Sequence, residues 1–548
     1  MTRETYSASK LLLLLLSACT LSACSYFHGA RPVTAPVPAD TPASAPQVLA
    51  LPIDEATVAQ LQAWMADGQL SAHALTQHYL ARIEALDRNG PKLNSVIELN
   101  PDALSIANSL DAERKAGTVR GPLHGIPVLL KDNIATADAM QTTAGSLALV
   151  GHKPPRDAFI VERLRAAGAV ILGKTNLSEW ANWRSTHSSS GWSGRGGQTK
   201  NPYVLDRNPC GSSAGSGAAI AANLAAIAVG TETDGSIVCP SSVSGLVGIK
   251  PTVGRVSRSG IIPISASQDT AGPMARTVAD AVILLEALAA PDQNDAATAA
   301  SRKHADACFH CALDDASVRG VRIGVLRASA GFHPEVDAAF EQALATLKAS
   351  GAVIIDKLAL PNDGKYGDDE TTVLKYEFKD GINRYLATLG EDAPKTLADL
   401  IEFNLREAGL ELPYFGQELF EQSQASGPLT TPAYRKARAR SRRLAGRAGI
   451  DALLRAEELD VLIAPTLGPS WPTDHVNGDH VLGGSISTAP AVAGYPHITV
   501  PMGYVRGLPV GLSFVGPAWS ERRLIAYAYA YEQASKVRRP PEFRPSIP

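Results

Sequence analysis

Apolar positions along this chain follow two patterns that take turns. Leu75, Tyr79, Leu80, Ile83 and Leu86 recur at the spacing of one helical face, and Ser71 stands where that helix would be capped. Elsewhere the apolar residues form short unbroken runs. One spans Ile126–Leu130 and stops at Lys131; another, Ala169–Leu172, follows a helical pattern over 157–167. Val321–Leu326, Val353–Ile355, Val461–Ala464 and Val510–Phe514 have the same character. Runs this short, without polar alternation, predict strands covered on both faces. The Ala- and Gly-rich stretch 215–228 predicts a helix packed closely on a sheet. Strands alternating with helices predict an α/β fold, with a large, buried, largely parallel or mixed β-sheet core flanked by α-helices on both faces. No fixed-period repeat and no linker is visible after residue 51. Residues 51–548 therefore read as one domain, although 548 residues would allow several.

The first fifty residues fit neither pattern. Arg3 and Lys10 precede Leu11–Leu16, an apolar run too short to span a bilayer. It leads to Leu21-Ser22-Ala23-Cys24, the pattern of a bacterial lipoprotein signal. Residues 1–23 then read as a signal peptide and Cys24 as the lipidated first residue of the mature chain. Leu16–Cys19 fits the same pattern behind a shorter apolar segment, and secretion without a lipid is the alternative. Ser25, where an Asp would favour the inner membrane, points to the outer one. Prolines 32, 36, 38, 42 and 46, spaced by small residues, prefer extended backbone, so 24–50 read as a tether. The expected location is the periplasmic side of a membrane, touched only through the lipid anchor.

Composition narrows the partners. The chain is 45% hydrophobic and 19% charged with a net charge of −3, an ordinary globular balance with no field favouring nucleic acid. The basic run Arg435–Arg443 is followed by Asp451, Glu457, Glu458 and Asp460, so it reads as a solvated helix face with local ion pairs. Gly168–Thr175 satisfies the expression for a phosphate loop, but Ala-Val-Ile-Leu between its glycines reads as buried strand. Cys308-Phe-His-Cys311 has no second cysteine pair at ligand spacing, so a disulfide, or else a pair of inert thiols, is expected there rather than a metal. Cys210 and Cys239 read as small buried residues, close enough to bond only if the segments carrying them touch. Neither a metal nor an organic cofactor is expected.

The most unusual stretch is 208–240. Asn208-Pro-Cys-Gly-Ser-Ser-Ala-Gly-Ser-Gly217 packs serines among glycines, and Gly230-Thr-Glu-Thr-Asp-Gly-Ser-Ile-Val-Cys-Pro240 sets Ser236 after a turn. Successive backbone N–H groups in such a turn can converge on one point and stabilise an oxyanion. A serine hydroxyl needs a base. None of the 12 histidines sits in a serine-hydrolase signature. Gly211–Gly215 fits Gly-x-Ser-x-Gly, but Arg207-Asn208-Pro209 before it is a poor strand for a nucleophile elbow. Lys131 is the other candidate. Its ordinary pKa of ~10.4 would fall on burial at the end of an apolar strand. Spacing alone leaves the alternatives open: a salt bridge from Lys131 to Asp132 or another acid, with Ser212 and Ser236 as mere turn residues.

Taken in order, these segments resemble the amidase signature family over most of residues 51–535. Gly211–Gly217, Gly230–Ile237 and Gly245–Thr252 carry the most specific part. Gly125–Asn133 is similar to the family's lysine segment, and Ala271–Thr277 and Gly494–Pro501 to later ones. The resemblance implies the family's fold and an amidase activity. It implies Ser236 as nucleophile, Ser212 as a bridging serine on a cis peptide, and Lys131 as base. The oxyanion donors would be the N–H groups of Thr233, Asp234, Gly235 and Ser236, with Ser213 as a substrate contact. Many members carry Asp-x-Gly-Gly-Ser; Glu232-Thr-Asp-Gly-Ser236 resembles the peptide amidase branch instead, and Ala214 replaces a glycine. A small-molecule or peptide amide is the implied substrate, peptide C-terminal amides first. Aryl or acyl amides, esters, a place in a tRNA-amidating complex and a non-catalytic ligand-binding lipoprotein are the alternatives.

Overall fold

The computed structural model describes residues 51–304 and 308–547. The expected signal peptide, Cys24 and the tether lie outside these residues. The first helical pattern forms as its spacing requires. The helix Ala72–Arg82 opens on Ser71, whose hydroxyl accepts from the Ala74 N–H at 3.0 Å, and it buries Leu75 and Tyr79.

Thirteen strands follow in chain order: β1 Val96–Leu99, β2 Pro127–Lys131, β3 Val170–Thr175, β4 Trp192–Ser193, β5 Gly197–Gln198, β6 Ile227–Glu232, β7 Val247–Lys250, β8 Thr270–Ala275, β9 Arg322–Val325, β10 Val353–Ile355, β11 Val461–Pro465, β12 His497–Val505 and β13 Leu508–Val515. β4 and β5 pair as a small ribbon. The other eleven form one sheet in the order β1-β3-β2-β6-β8-β7-β12-β13-β11-β9-β10. Every residue of β2, β3 and β6 is buried, as unbroken apolar runs require.

The sheet is mixed. β2 pairs parallel with β3 and β6, and β9 parallel with β10 and β11. The remaining neighbours are antiparallel. Much of this antiparallel half escaped the apolar pattern because β7, Val-Gly-Ile-Lys, is short and interrupted by glycine, and β8 is built from Thr, Ala, Gly, Pro and Met rather than from a run of branched residues. A second correction concerns 215–228. The helix is Ala214–Ala221, and Ile227 already belongs to β6. Alanine and glycine alone do not mark the boundary, which falls at a turn where Asn223 takes φ +58°.

The basic helix also finds other partners than expected. Pro432–Ala445 packs beside Gly367–Leu386, and Arg440 pairs with Asp369 at 2.6 Å and Arg438 with Glu377 at 3.8 Å. The acids at 451–460 do not serve it. Gly168–Thr175 enters β3, so its apolar middle is buried strand. Cys308 and Cys311 form a disulfide, and so do Cys210 and Cys239, which the sequence suggested only as buried thiols.

Candidate active site

β2 and β6 run parallel in a register that sets Leu130 beside Val229, so Lys131 at the end of β2 reaches the level of Thr231. Its Nζ lies 2.7 Å from Ser212 Oγ, 2.9 Å from Thr231 Oγ1 and 3.2 Å from the Thr231 carbonyl. Successive strand residues point to opposite faces. Asp132 therefore turns away, to the Thr143 hydroxyl and to Arg195 at 3.4 Å, and is not the partner of Lys131. The salt-bridge alternative is excluded. Thr231 Oγ1 also accepts from Asn133 Nδ2 at 3.0 Å, a bond that steadies the hydroxyl beside the amine.

Ser212 is fully buried, and the Gly211–Ser212 peptide is cis. Its carbonyl accepts from Ser178 N–H at 3.1 Å. No strand leads into Gly211, which removes the elbow geometry. Ser213 does not take the expected place of a substrate contact. Its hydroxyl is fully buried, donates to the Thr231 carbonyl at 3.1 Å and accepts from Thr231 N–H at 3.2 Å. It pins the loop to β6.

Ser236 comes beside this pair because Ser213 N–H donates to the Ser236 carbonyl at 3.2 Å. Its own Oγ makes no hydrogen bond among the described residues. The turn before it is shaped by Glu232, whose Oε2 accepts from the N–H groups of Ile237 at 2.7 Å and Val238 at 3.0 Å. Gly235 takes φ +78°, and a Cβ there would lie 3.2 Å from Ser487 Oγ. The side chains of the turn are tied outward: Thr233 Oγ1 donates to Asp269 at 2.6 Å, and Asp234 accepts from Thr488 at 2.7 Å. The N–H groups of Thr233, Asp234, Gly235 and Ser236 meet no acceptor among the described residues.

Burial governs the charges. It brings the Lys131 amine down to about 7, against the weaker opposing pull of Glu232 and Asp269. It pushes Asp269 up to about 6, opposed by the bonds from Thr233 and from the N–H groups of Ser265 and Ile264. A cleft of about 390 Å³ opens beside the site. Asn133, Thr231, Glu232 and Thr233 line its inner end, and Ile262, Arg258 and Tyr385 its walls. Such a volume suits a small-molecule or short-peptide site.

Lys131, Ser212 and the turn at Ser236 thus share one neighbourhood. Sequence reasoning missed Thr231 and Asn133. Both stand within the motif segments, and their one signal was adjacency to Lys131 and Glu232.

Comparison with known proteins shows the family and the fold. The profile of the family described as Amidase matches residues 74–525. A “probable amidase” of Arabidopsis thaliana is 41% identical over 503 residues, covering 90% of this chain and 92% of its own. Among solved structures, the native peptide amidase from Stenotrophomonas maltophilia is 55% identical with a TM-score of 0.86, covering 90% of this chain and 99% of its own. The peptide amidase PAM in complex with the competitive inhibitor chymostatin is 56% identical at the same TM-score, covering 90% and 100%. The eleven-stranded mixed sheet with its flanking helices is the fold of these neighbours. The chain belongs to the amidase family and is a hydrolase of amide bonds.

Proposed function

We propose that this amidase removes the terminal carboxamide from peptides or similar small amides through an acyl-enzyme on Ser236. Lys131 is the base. A neutral amine has two N–H donors and one lone pair. With Thr231 O and Oγ1 taking the donors, the lone pair falls to the Ser212 hydroxyl. Lys131 then accepts the Ser212 proton, Ser212 accepts that of Ser236, and Ser236 Oγ attacks the amide carbon. The N–H groups of residues 233–236 hold the resulting O⁻. The relay returns the proton to the leaving nitrogen, ammonia departs, and water attacks the acyl-enzyme by the reverse path.

One observation carries this reading: a fully buried amine, 2.7 Å from a serine hydroxyl, with no carboxylate within ion-pair distance among the described residues. Support for peptide amides comes from the likeness to the two peptide amidase structures and from the Glu232–Ser236 variant turn. We also read the chain as exported and lipid-anchored at Cys24. Two disulfides agree with an oxidising compartment.

The test is ammonia release from peptide amides, aliphatic amides and anilides, with Ser236→Ala alongside. Peptide amides should turn over fastest and the variant should be inert. Near-native ammonia release by Ser236→Ala would remove Ser236 from its role. A preference for anilides would move the substrate class.

A further inference from the structure

Resting on that serine relay, we infer that the Cys210–Cys239 disulfide is a positioning device that holds Ser212 and Ser236 in reach of each other, so that turnover depends on its oxidation. The bond joins residues two before Ser212 and three after Ser236, 29 apart in sequence, with Cα atoms 6.0 Å apart. It therefore ties together the two loops whose relative placement the relay needs.

Few other links do so. Between residues 208–213 and 231–239, the hydrogen bonds that join the loop backbones all run through Ser213, one residue beyond Ser212. On the other side of Ser212, the direct link among the described residues is the disulfide, seated in an apolar cluster with Val243, Leu467 and Trp471. Cys210 is turned toward its partner by φ +55° and by its N–H donating to Asn208 Oδ1 at 2.8 Å. Cys239 is anchored through its N–H to the Gly235 carbonyl at 2.8 Å. Among the described residues, Ser236 Oγ has no bond of its own to set its position. Proton transfer to Ser212 needs the two oxygens within about 3.2 Å, and a 1 Å misplacement at a reacting centre costs about a hundredfold in rate.

Cys210 is buried, while Cys239 is partly exposed. A small thiol attacks Cys239 Sγ, forms a mixed disulfide and releases Cys210 as thiolate. A second thiol resolves it. Overall, two thiols are oxidised to one disulfide as Cys210 and Cys239 are reduced to thiols. The device would keep the chain dormant in a reducing compartment and switch it on after oxidation. The second disulfide, Cys308–Cys311, lies outside both loops and serves as a control.

The test compares C210A/C239A with wild type and with C308A/C311A on one peptide amide, well below the unfolding midpoint. We expect C210A/C239A to lose at least about tenfold in kcat, with KM nearly unchanged and Ser236 labelling by a fluorophosphonate slowed in parallel. C308A/C311A should keep wild-type kcat. A folded C210A/C239A with wild-type kcat overturns the inference. Should that variant fail to fold, dithiothreitol treatment of C308A/C311A, in which Cys210–Cys239 is the one disulfide left among the described residues, decides. Activity that falls as two thiols appear and returns on reoxidation supports the device; full activity in the reduced, folded enzyme overturns it. Failure of the relay itself is read separately, from Ser236→Ala.

Discussion

Two lysines one strand apart show what the proposed base has that another buried amine lacks. Lys131 ends β2, and Lys174 lies in β3 opposite Leu130. Both are fully buried. Burial lowers both, Lys131 to about 7 and Lys174 to about 8. Lys174 donates to the Ile134 carbonyl at 2.6 Å and to Thr142 Oγ1 at 2.8 Å, with Asp132, Asp138 and Glu98 favouring its charge. The Ile134 carbonyl only accepts, and the Thr142 hydroxyl already gives its own proton to that carbonyl at 3.4 Å, so both partners ask the Lys174 amine to remain a donor. Lys131 instead faces the Ser212 hydroxyl, which can reverse the bond and give up its proton. Desolvation sets the amine's readiness, and an amphoteric partner gives it something to do.

The widest separation between the two comes from removing each amine. Lys131→Met should lower kcat by roughly 10⁴-fold, as loss of one member of a concerted set does. Its thermal midpoint should hold or rise, because an amine costly to bury is gone. Lys174→Met should behave the opposite way. Ile134 O and the nearby Asp132 lose their donor and counter-charge, and stability should fall by about 2–4 kcal/mol in urea unfolding. Its kcat per folded molecule should stay within about threefold of wild type. A Lys131→Met enzyme that turns over normally, or a Lys174→Met enzyme that is stable but inert, would reverse the assignment.

This contrast also marks how far the sequence could be read. β2, β3, β11 and β13 were legible because unbroken apolar runs leave no solvent face. Lys131 was legible as the polar end of such a run. β7 and β8 were not, since glycine and proline are admitted there by tertiary packing rather than by strand preference. Ser212 and Ser236 stood out through their glycine-rich company and the family likeness. Ser213, equally conspicuous in the motif, is spent on the β6 backbone. One position along a tight loop reverses which way a hydroxyl points, and spacing does not encode that. The Cys210–Cys239 bond was hidden for a related reason: whether the two loops touch is decided by the seating of Ser213 on Thr231 and Ser236, which spacing does not encode.

Titration should show the next effect. Lys131 acts when neutral, and folding holds its pKa near 7 instead of the ordinary 10.5. kcat/KM should therefore rise with pH through about 7 and level off above it. The linked stability has a definite sign. Between about 7 and 10.5 the unfolded chain binds a proton on Lys131 that the folded chain does not. Unfolding then takes up protons, and this group's contribution to stability rises with pH across that window. Below 7 the full penalty of burying the charge applies. Urea midpoints of wild type and Lys131→Met, followed from pH 6 to 10, should diverge most at the acid end. An activity limb near 10 would mean that burial does not depress the amine, and a profile without any basic-side rise between pH 6 and 10 would remove Lys131 as the base.

The smallest shift tests the carboxylate that works against this depression. Glu232 favours the Lys131 ammonium through space, while its Oε2 accepts from the Ile237 and Val238 N–H groups that form the turn before the helix Val238–Val243. Glu232→Gln keeps an acceptor oxygen for those two donors and removes the charge. The turn should survive, and the amine, relieved of its anion, should be easier still to deprotonate. The activity limb should move to lower pH, by less than about one unit, since burial remains the larger influence. Burial also pushes the Glu232 carboxyl itself upward, opposed by the charge of Lys250 and by the bonds from the Ile237 and Val238 N–H groups. A limb that moves toward higher pH would show that Glu232 acts on Lys131 by shaping the turn, not by its charge.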